Sequence, residues 1–303
     1  PLDARTRDQI LARLPESVDA VRAALDLYLG VAGAFRREAD ALGNFPSYFL
    51  GLANDEGTWE HDTGHLRIID SAGKVLGDRI DPARYDEWIG EAAHPDSYLK
   101  SPYLRFAVPD GAPPEAGMYR VGPLARLNLC HAMGTPLAEG ALATFRERAG
   151  APASAAFHYH HARLVEVLAC LERMERLLDD PAVLDPMVRA DADLAGHRGV
   201  GVSEAPRGTL IHDYRTDDDG LLTDVRMIIA TGHNSLAMNA SVRQAAREFV
   251  DGPHLPEGVM NRLEAAIRAY DPCFSCSTHA IGQMPLQVTV VDAAGNTLLT
   301  ARR

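Results

Sequence analysis

Apolar residues recur every three or four positions from residue 4 to residue 41. Ile10, Leu11, Leu14, Val18, Val21, Leu25, Tyr28 and Leu29 mark the stripe, which is the pattern of a helix. Between 47 and 82 the period changes. "SYFLGLAN" and "GHLRIIDSAGKVLGDRI" read as strands, with "DSAGK" as a turn between two of them. The stretch "RFAVPDGAPPEAGMYRVG" (105–122) is rich in Pro and Gly and reads as a linker or long loop. Helix returns at 136–150 and at about 153–181, where "FHYHHARLVEVLACLERMERLL" carries an apolar stripe and stops at "DDP". Residues 199–230 predict strands turning at "RTDDDG", 234–251 and 256–270 predict two helices, and "LQVTVVDAAGNTLLTA" predicts a hairpin turning at "DAAGN". No internal repeat or low-complexity tract interrupts the series. The expectation is a mainly α protein with small antiparallel β-sheets inserted, an α+β architecture.

Composition narrows the function. At 303 residues the chain has room for one large or two ordinary domains, and 46% hydrophobic with 24% charged residues reads as soluble and globular. A net charge of −12, with the acidic residues spread throughout, lacks the basic face that nucleic acid or an anionic membrane requires. No apolar run approaches the ~18 residues of a membrane span. The chain starts with Pro1 and shows no charged-then-apolar leader.

Four cysteines are too few for a disulfide scaffold. Two of them, Cys273 and Cys276, form a Cys-x-x-Cys, and His279 follows three residues later. Thiolates are soft ligands that suit zinc, iron-sulfur clusters, copper, nickel or iron. A structural zinc wants four ligands, and this motif offers three. A thioredoxin-like pair would follow a strand, whereas this one follows a helical segment. Spacing alone leaves structural zinc, thiol redox chemistry and chance all open.

The flanking residues carry more. Asp271-Pro272-Cys273-x-x-Cys276-x-x-His279 resembles the C-terminal signature of the large subunit of nickel-iron hydrogenases. "GVSEAPRGTLIH" (201–212) resembles the Pro-Arg-Gly segment of that family, and "ATGHNSLAMNASV" (230–242) a stretch of its soluble, cofactor-linked branch. "RVGPLARLNLCHAMGTPLAEGA" and "HHARLVEVLACLERME" are similar to that branch too, so the resemblance runs from about residue 5 to the end. The family also carries an N-terminal Cys-x-x-Cys that this sequence lacks. The expectation is one large-subunit domain over 1–303 that begins downstream of that pair. The related large subunit of respiratory complex I has lost the thiols, and the intact C-terminal pair favours the hydrogenase.

The resemblance implies a nickel-iron centre, with carbon monoxide and cyanide on the iron. Cys273 is then a terminal nickel ligand and Cys276 bridges the two metals. Arg207 sits above the open position and positions the substrate. Pro206 and Thr231 line the diatomic ligands, Thr231 as a hydrogen-bond donor to a cyanide. His279 binds a magnesium ion, and the tail from 280 to 303 is removed by a dedicated maturation protease after nickel-insertion proteins have loaded the metal. Implied partners are a flavin diaphorase module, which passes electrons to NAD in the cytoplasm, and the small iron-sulfur subunit that feeds it. The chain itself has too few cysteines for clusters and no Gly-x-Gly-x-x-Gly fingerprint. Competing expectations are a non-catalytic, zinc-stabilised helical protein and a hydrogenase linked to NADP or coenzyme F420.

The remaining candidates read blandly. Glu204 precedes the Pro-Arg-Gly turn, and the expectation of a solvated carboxylate stands beside that of a place at the site. His158, His160 and His161 are expected to be interface or buried polar residues, since no carboxylate or cysteine stands at ligand spacing beside them. Cys170 falls on the apolar stripe of its helix and is expected in the core, and Cys130 gives no functional signal.

Overall fold

The computed structural model describes residues 1–95, 97–189, 196–252, 254–273 and 287–302. The opening helical stretch is three helices, α1 (Ala4–Leu11), α2 (Leu14–Ala34) and α3 (Arg36–Ala41). Asp3 caps α1 by accepting the Thr6 amide at 2.8 Å. Pro15 has no N–H to give to a preceding turn, so it fits only at a helix start, and α2 begins there.

Four strands then form a sheet in the order β3-β2-β1-β6, where β1 is Tyr48–Ala53, β2 is His65–Ile69, β3 is Val75–Ile80 and β6 is Tyr119–Arg120. Between β3 and β6 come the single turn α4 (Tyr85–Trp88) and a hairpin of β4 (Ile89–His94) and β5 (Ser97–Leu104), which the hydrophobic pattern did not predict. The β1–β6 pair is parallel, an exception to the expected antiparallel sheets. It also corrects the expected linker: Tyr119, Arg120, Val121 and Gly122 of that Pro/Gly-rich stretch are buried.

Helices α5 (Pro123–Leu129), α6 (Pro136–Ala149) and α7 (His158–Asp179) follow, with α7 packed against α2, α5 and α6. A second, antiparallel sheet has the order β7-β8-β9 (Arg198–Ala205, Gly208–Thr216, Leu222–Ile228). It leads into α8 (Ala230–His233), α9 (Ser235–Phe249) and α10 (Glu257–Arg268). The last hairpin, β10 (Gln287–Val291) and β11 (Thr297–Arg302), forms as expected.

Strand β1 is buried on both faces, which explains its unbroken apolar run. Phe49 and Ala53 join the core formed with α5, α6 and α7, while Leu50 and Leu52 join Leu66, Tyr119, Val121, Ile211 and Ile228 on the other side. His161 is buried between the rings of Tyr28 and Phe145, and His158 Nδ1 lies 3.3 Å from the Tyr28 hydroxyl. Cys130 is fully buried, and Cys170 is half-buried against the same core.

Candidate metal centre

The Pro-Arg-Gly segment is a hairpin turn. Glu204 pairs with Thr209 and Ala205 with Gly208, which leaves Pro206 and Arg207 as the two turn residues. The turn rests on the Val121 side chain and the Gly122 backbone. Both Gly208 (φ +141°) and Gly122 (φ +90°) adopt backbone angles that favour glycine. A Cβ on Gly122 would stand 2.7 Å from the Arg207 carbonyl oxygen, and one on Gly208 would collide with Val121. Both glycines are therefore needed for the two segments to touch.

A guanidinium anchors the same turn from below. Arg126, on α5, gives Nε and Nη2 to the two oxygens of Glu166 at 2.5 and 2.7 Å, and Nη1 to Glu204 at 2.5 Å. Its remaining donors reach the carbonyls of Ala205 (2.9 Å) and Pro206 (3.3 Å). All five N–H groups are thereby satisfied, the full capacity of an arginine. Glu204 in turn accepts from the Leu52 amide at 3.0 Å and the Thr209 hydroxyl at 2.8 Å. Its side chain is fully buried, which overturns the expectation of a solvated carboxylate. The reason is that Arg126 meets it inside the protein. Burial pushes the Glu204 carboxyl above its ordinary value, against the pull of Arg126, Thr209 and the Leu52 amide.

The third segment leaves the end of α10. Asp271 is in the left-handed region (φ +52°), which Asp tolerates better than most residues, and this turns the chain after the helix. Arg207 reaches across to it: its Nε donates to the Asp271 carbonyl at 2.6 Å and lies 3.3 Å from the Asp271 carboxylate. The Cys273 amide donates to the Thr231 hydroxyl at 3.2 Å. Thr231 is buried at the start of α8, where Asn234 fixes the helix by accepting the Val121 amide at 3.0 Å.

Four of the residues expected at the site therefore converge. Pro206 and Arg207 come from the β7–β8 turn, Thr231 from α8, and Cys273 from the segment after α10. Cys276 and His279 lie outside the described residues. Sequence reasoning missed Asp271, Arg126 and Glu166 as parts of this arrangement. Asp271 stood inside the quoted cysteine motif and Arg126 inside "RVGPLARLNL", but nothing in one dimension pairs Arg126 with carboxylates 40 and 78 positions away.

The donor chemistry fits part of the nickel-iron centre that the resemblance implies. Cys273, whose amide is held by Thr231, stands two residues after the Asp271 that Arg207 grips, and its sulfur is of the soft kind that such a centre takes. The other described cysteines are engaged elsewhere: Cys130 Sγ is 3.8 Å from the Leu52 carbonyl and Cys170 Sγ is 3.9 Å from His61 Nε2. Burial pushes both of those thiols up. Among the described residues no group of three His, Cys, Asp or Glu side chains stands ready to hold a metal by itself.

Comparison with known proteins assigns the family and the fold. The sequence pattern of the nickel-dependent hydrogenase family matches residues 94–279. The chain is 38% identical over 293 residues to the beta chain of the NAD-reducing hydrogenase of Cupriavidus necator, covering 94% of this chain and 58% of that one. It is 36% identical over 304 residues to a chain of the F420-non-reducing hydrogenase of Methanococcus voltae, covering 99% and 63%. Among solved structures, an NAD+-reducing nickel-iron hydrogenase in the H2-reduced state superposes with a TM-score of 0.84 at 40% identity, over 92% of this chain and 60% of that one. A nickel-iron-selenium hydrogenase from Dm. baculatum shares the fold at a TM-score of 0.64 and 18% identity. The chain thus spans about three fifths of the length of these relatives, between 58% and 63%.

Proposed function

The chain belongs to the nickel-dependent hydrogenase family and has its large-subunit fold, and on that premise we propose that it carries part of the catalytic centre of a hydrogen-splitting enzyme. The reaction is the reversible heterolytic cleavage of H2 into protons and electrons. Its acceptor is NAD or NADP, reached by way of a flavin diaphorase module that a small iron-sulfur subunit supplies with electrons. The single observation that carries the proposal is the meeting of Arg207 and Thr231 on the Asp271–Cys273 segment.

Cys273 and Cys276 are the residues of this chain that would hold the nickel-iron centre, and His279 a neighbouring magnesium ion. When bound, the centre supplies the open Lewis-acid position at which hydrogen is polarised. The residues here supply the rest. Arg207 is permanently charged, so it orients rather than accepts a proton. The Asp271 carboxylate, 3.3 Å from that guanidinium, together with its own carbonyl holds Arg207 in place over the segment that carries Cys273. Pro206 and Thr231 flank the side where carbon monoxide and cyanide would sit on the iron. The Thr231 oxygen already accepts from the Cys273 amide, and its O–H remains to donate.

Support for the NAD-linked reading comes from the 40% identity to the NAD+-reducing structure. No described helix is long and apolar enough to cross a membrane. A cytoplasmic site, loading by nickel-insertion proteins and removal of residues 280–303 by a protease complete the proposal. Replacing Cys273 by Ser in the intact complex tests it. Nickel content and hydrogen turnover should both fall to background. A Cys273→Ser complex that still turns over hydrogen with its nickel in place would refute the assignment.

A further inference from the structure

Helix α7 turns one face toward the centre. Tyr159, Arg163 and Glu166 stand at i, i+4 and i+7, so they line that face in succession. Each holds a different segment of the site. The Tyr159 hydroxyl donates to the Val121 carbonyl at 2.9 Å, beside the glycine on which the Arg207 turn rests. Its ring centroid lies 4.9 Å from that of Tyr270. Glu166 fixes Arg126, which holds the carbonyls of Ala205 and Pro206. Arg163 gives Nη2 to the Ala269 carbonyl at 3.2 Å.

Ala269 caps α10. Carbonyls in the last turn of a helix have no partner within it, and a cation there is favoured by the helix dipole. Arg163 therefore grips the end of α10 two residues before Asp271 and four before Cys273. It differs from Arg126 in one respect that matters. Arg126 is saturated by five acceptors, whereas the Arg163 Nε–H is buried with no acceptor among the described residues. Burial works against its charge, and the nearby carboxylates of Asp271 and Glu166 work for it. A guanidinium kept there at that cost is not explained by packing alone.

We propose that Arg163 is a positioning residue of the metal centre, setting through the Ala269 carbonyl where the Asp271–Cys273 segment stands beneath Arg207. The proposal rests on the nickel-iron reading of that centre. It makes α7 the common support for the hairpin turn above the site and the cysteine segment below it.

The test uses the intact native complex with Arg163→Met, which removes every donor, and Arg163→Lys, which keeps the charge and loses the planar fork. The parent complex is first measured for nickel and iron. If nickel is absent there, the reading of the centre fails before any variant is considered. With nickel present, the Arg163→Met complex should keep its metals but show shifted nickel electron-paramagnetic-resonance values and shifted infrared bands from the iron's diatomic ligands. The kcat should fall about tenfold with KM for hydrogen unchanged, the signature of a misplaced rather than missing group. Arg163→Lys should recover part of both. Parental spectra and parental kcat in a fully loaded Arg163→Met complex would overturn the proposal. If that variant does not accumulate, Arg163→Lys decides on the same readouts: shifted spectra support the proposal and parental ones overturn it.

Discussion

Two arginines bracket the same hairpin turn and live under opposite conditions. Arg126 is 2% exposed, sits between two carboxylates and has every donor occupied. Arg207 is 39% exposed and shares its charge with Asp271, itself 44% exposed. Burial makes the first pair unforgiving: removing one partner strands charge where water cannot reach it. Solvent weakens the second, because an exposed ion pair contributes little. The fold has placed the buried, fully satisfied charge underneath the turn and the half-exposed one on top, against Asp271. On the proposed reading, the buried arginine of α5 holds the turn and the half-exposed arginine of the turn serves the centre.

The largest loss of stability is expected at Arg126. Arg126→Met should destabilise the protein by about 3–5 kcal/mol, because Glu166 and Glu204 are then left buried without their cation. Denaturant titration measures this, and a loss below ~1 kcal/mol would mean the cluster does not hold the turn. Arg207→Lys should do the reverse. Stability should change by less than ~1 kcal/mol, while hydrogen turnover falls about a hundredfold, because an ammonium cannot reproduce the planar guanidinium whose Nε reaches Asp271. Undiminished turnover would remove Arg207 from the site.

Buried groups around the turn also make stability depend on pH. His233 is fully buried next to Thr231, bonded through Nδ1 to the Tyr119 hydroxyl, and burial drives its pKa down from 6.5 to about 3. The folded protein keeps it neutral while the unfolded chain protonates it near 6.5. Its contribution is therefore complete above pH 6.5 and is lost progressively as pH falls toward 3. Between pH 6.5 and 5 this amounts to about 2 kcal/mol. His161, held near 4 by burial, adds to the slope in the same direction over the upper part of that range. His233→Asn should flatten the pH dependence of the denaturation midpoint, and an unchanged slope would mean the imidazole is not buried in solution. The smallest effect belongs to Thr231→Val, which removes one hydrogen bond to the Cys273 amide and should cost about 1 kcal/mol. Thermal unfolding of the two proteins side by side would measure it.

Much of this arrangement is legible in the sequence, for identifiable reasons. The spans of α6 and α10 and the last hairpin follow from strong periodicity with clear turn residues. The cysteine motif and the Pro-Arg-Gly segment stand out because function requires particular residues at fixed spacing. The features that do not show depend on contacts distant in sequence. Residues 119–122 read as a linker because Pro and Gly usually mark loops. Here Gly122 serves close packing in the interior, and β6 pairs in parallel with β1 from 71 residues away (119 minus 48). The β4–β5 hairpin hides behind "EAAHPDSYLKSP", a stretch poor in strand formers. Glu204 resembles a surface carboxylate because its cation lies on a different element. The helical run over 4–41 conceals two breaks, of which Pro15 is the visible sign of the first.

Cys273 and Cys276 are proposed to serve a nickel-iron centre beneath Arg207. The most direct test is elemental analysis of the chain in its native complex for nickel, iron and zinc. Nickel together with iron, both dependent on Cys273, is the predicted result. Zinc in place of nickel would make the cysteine pair structural and contradict the account.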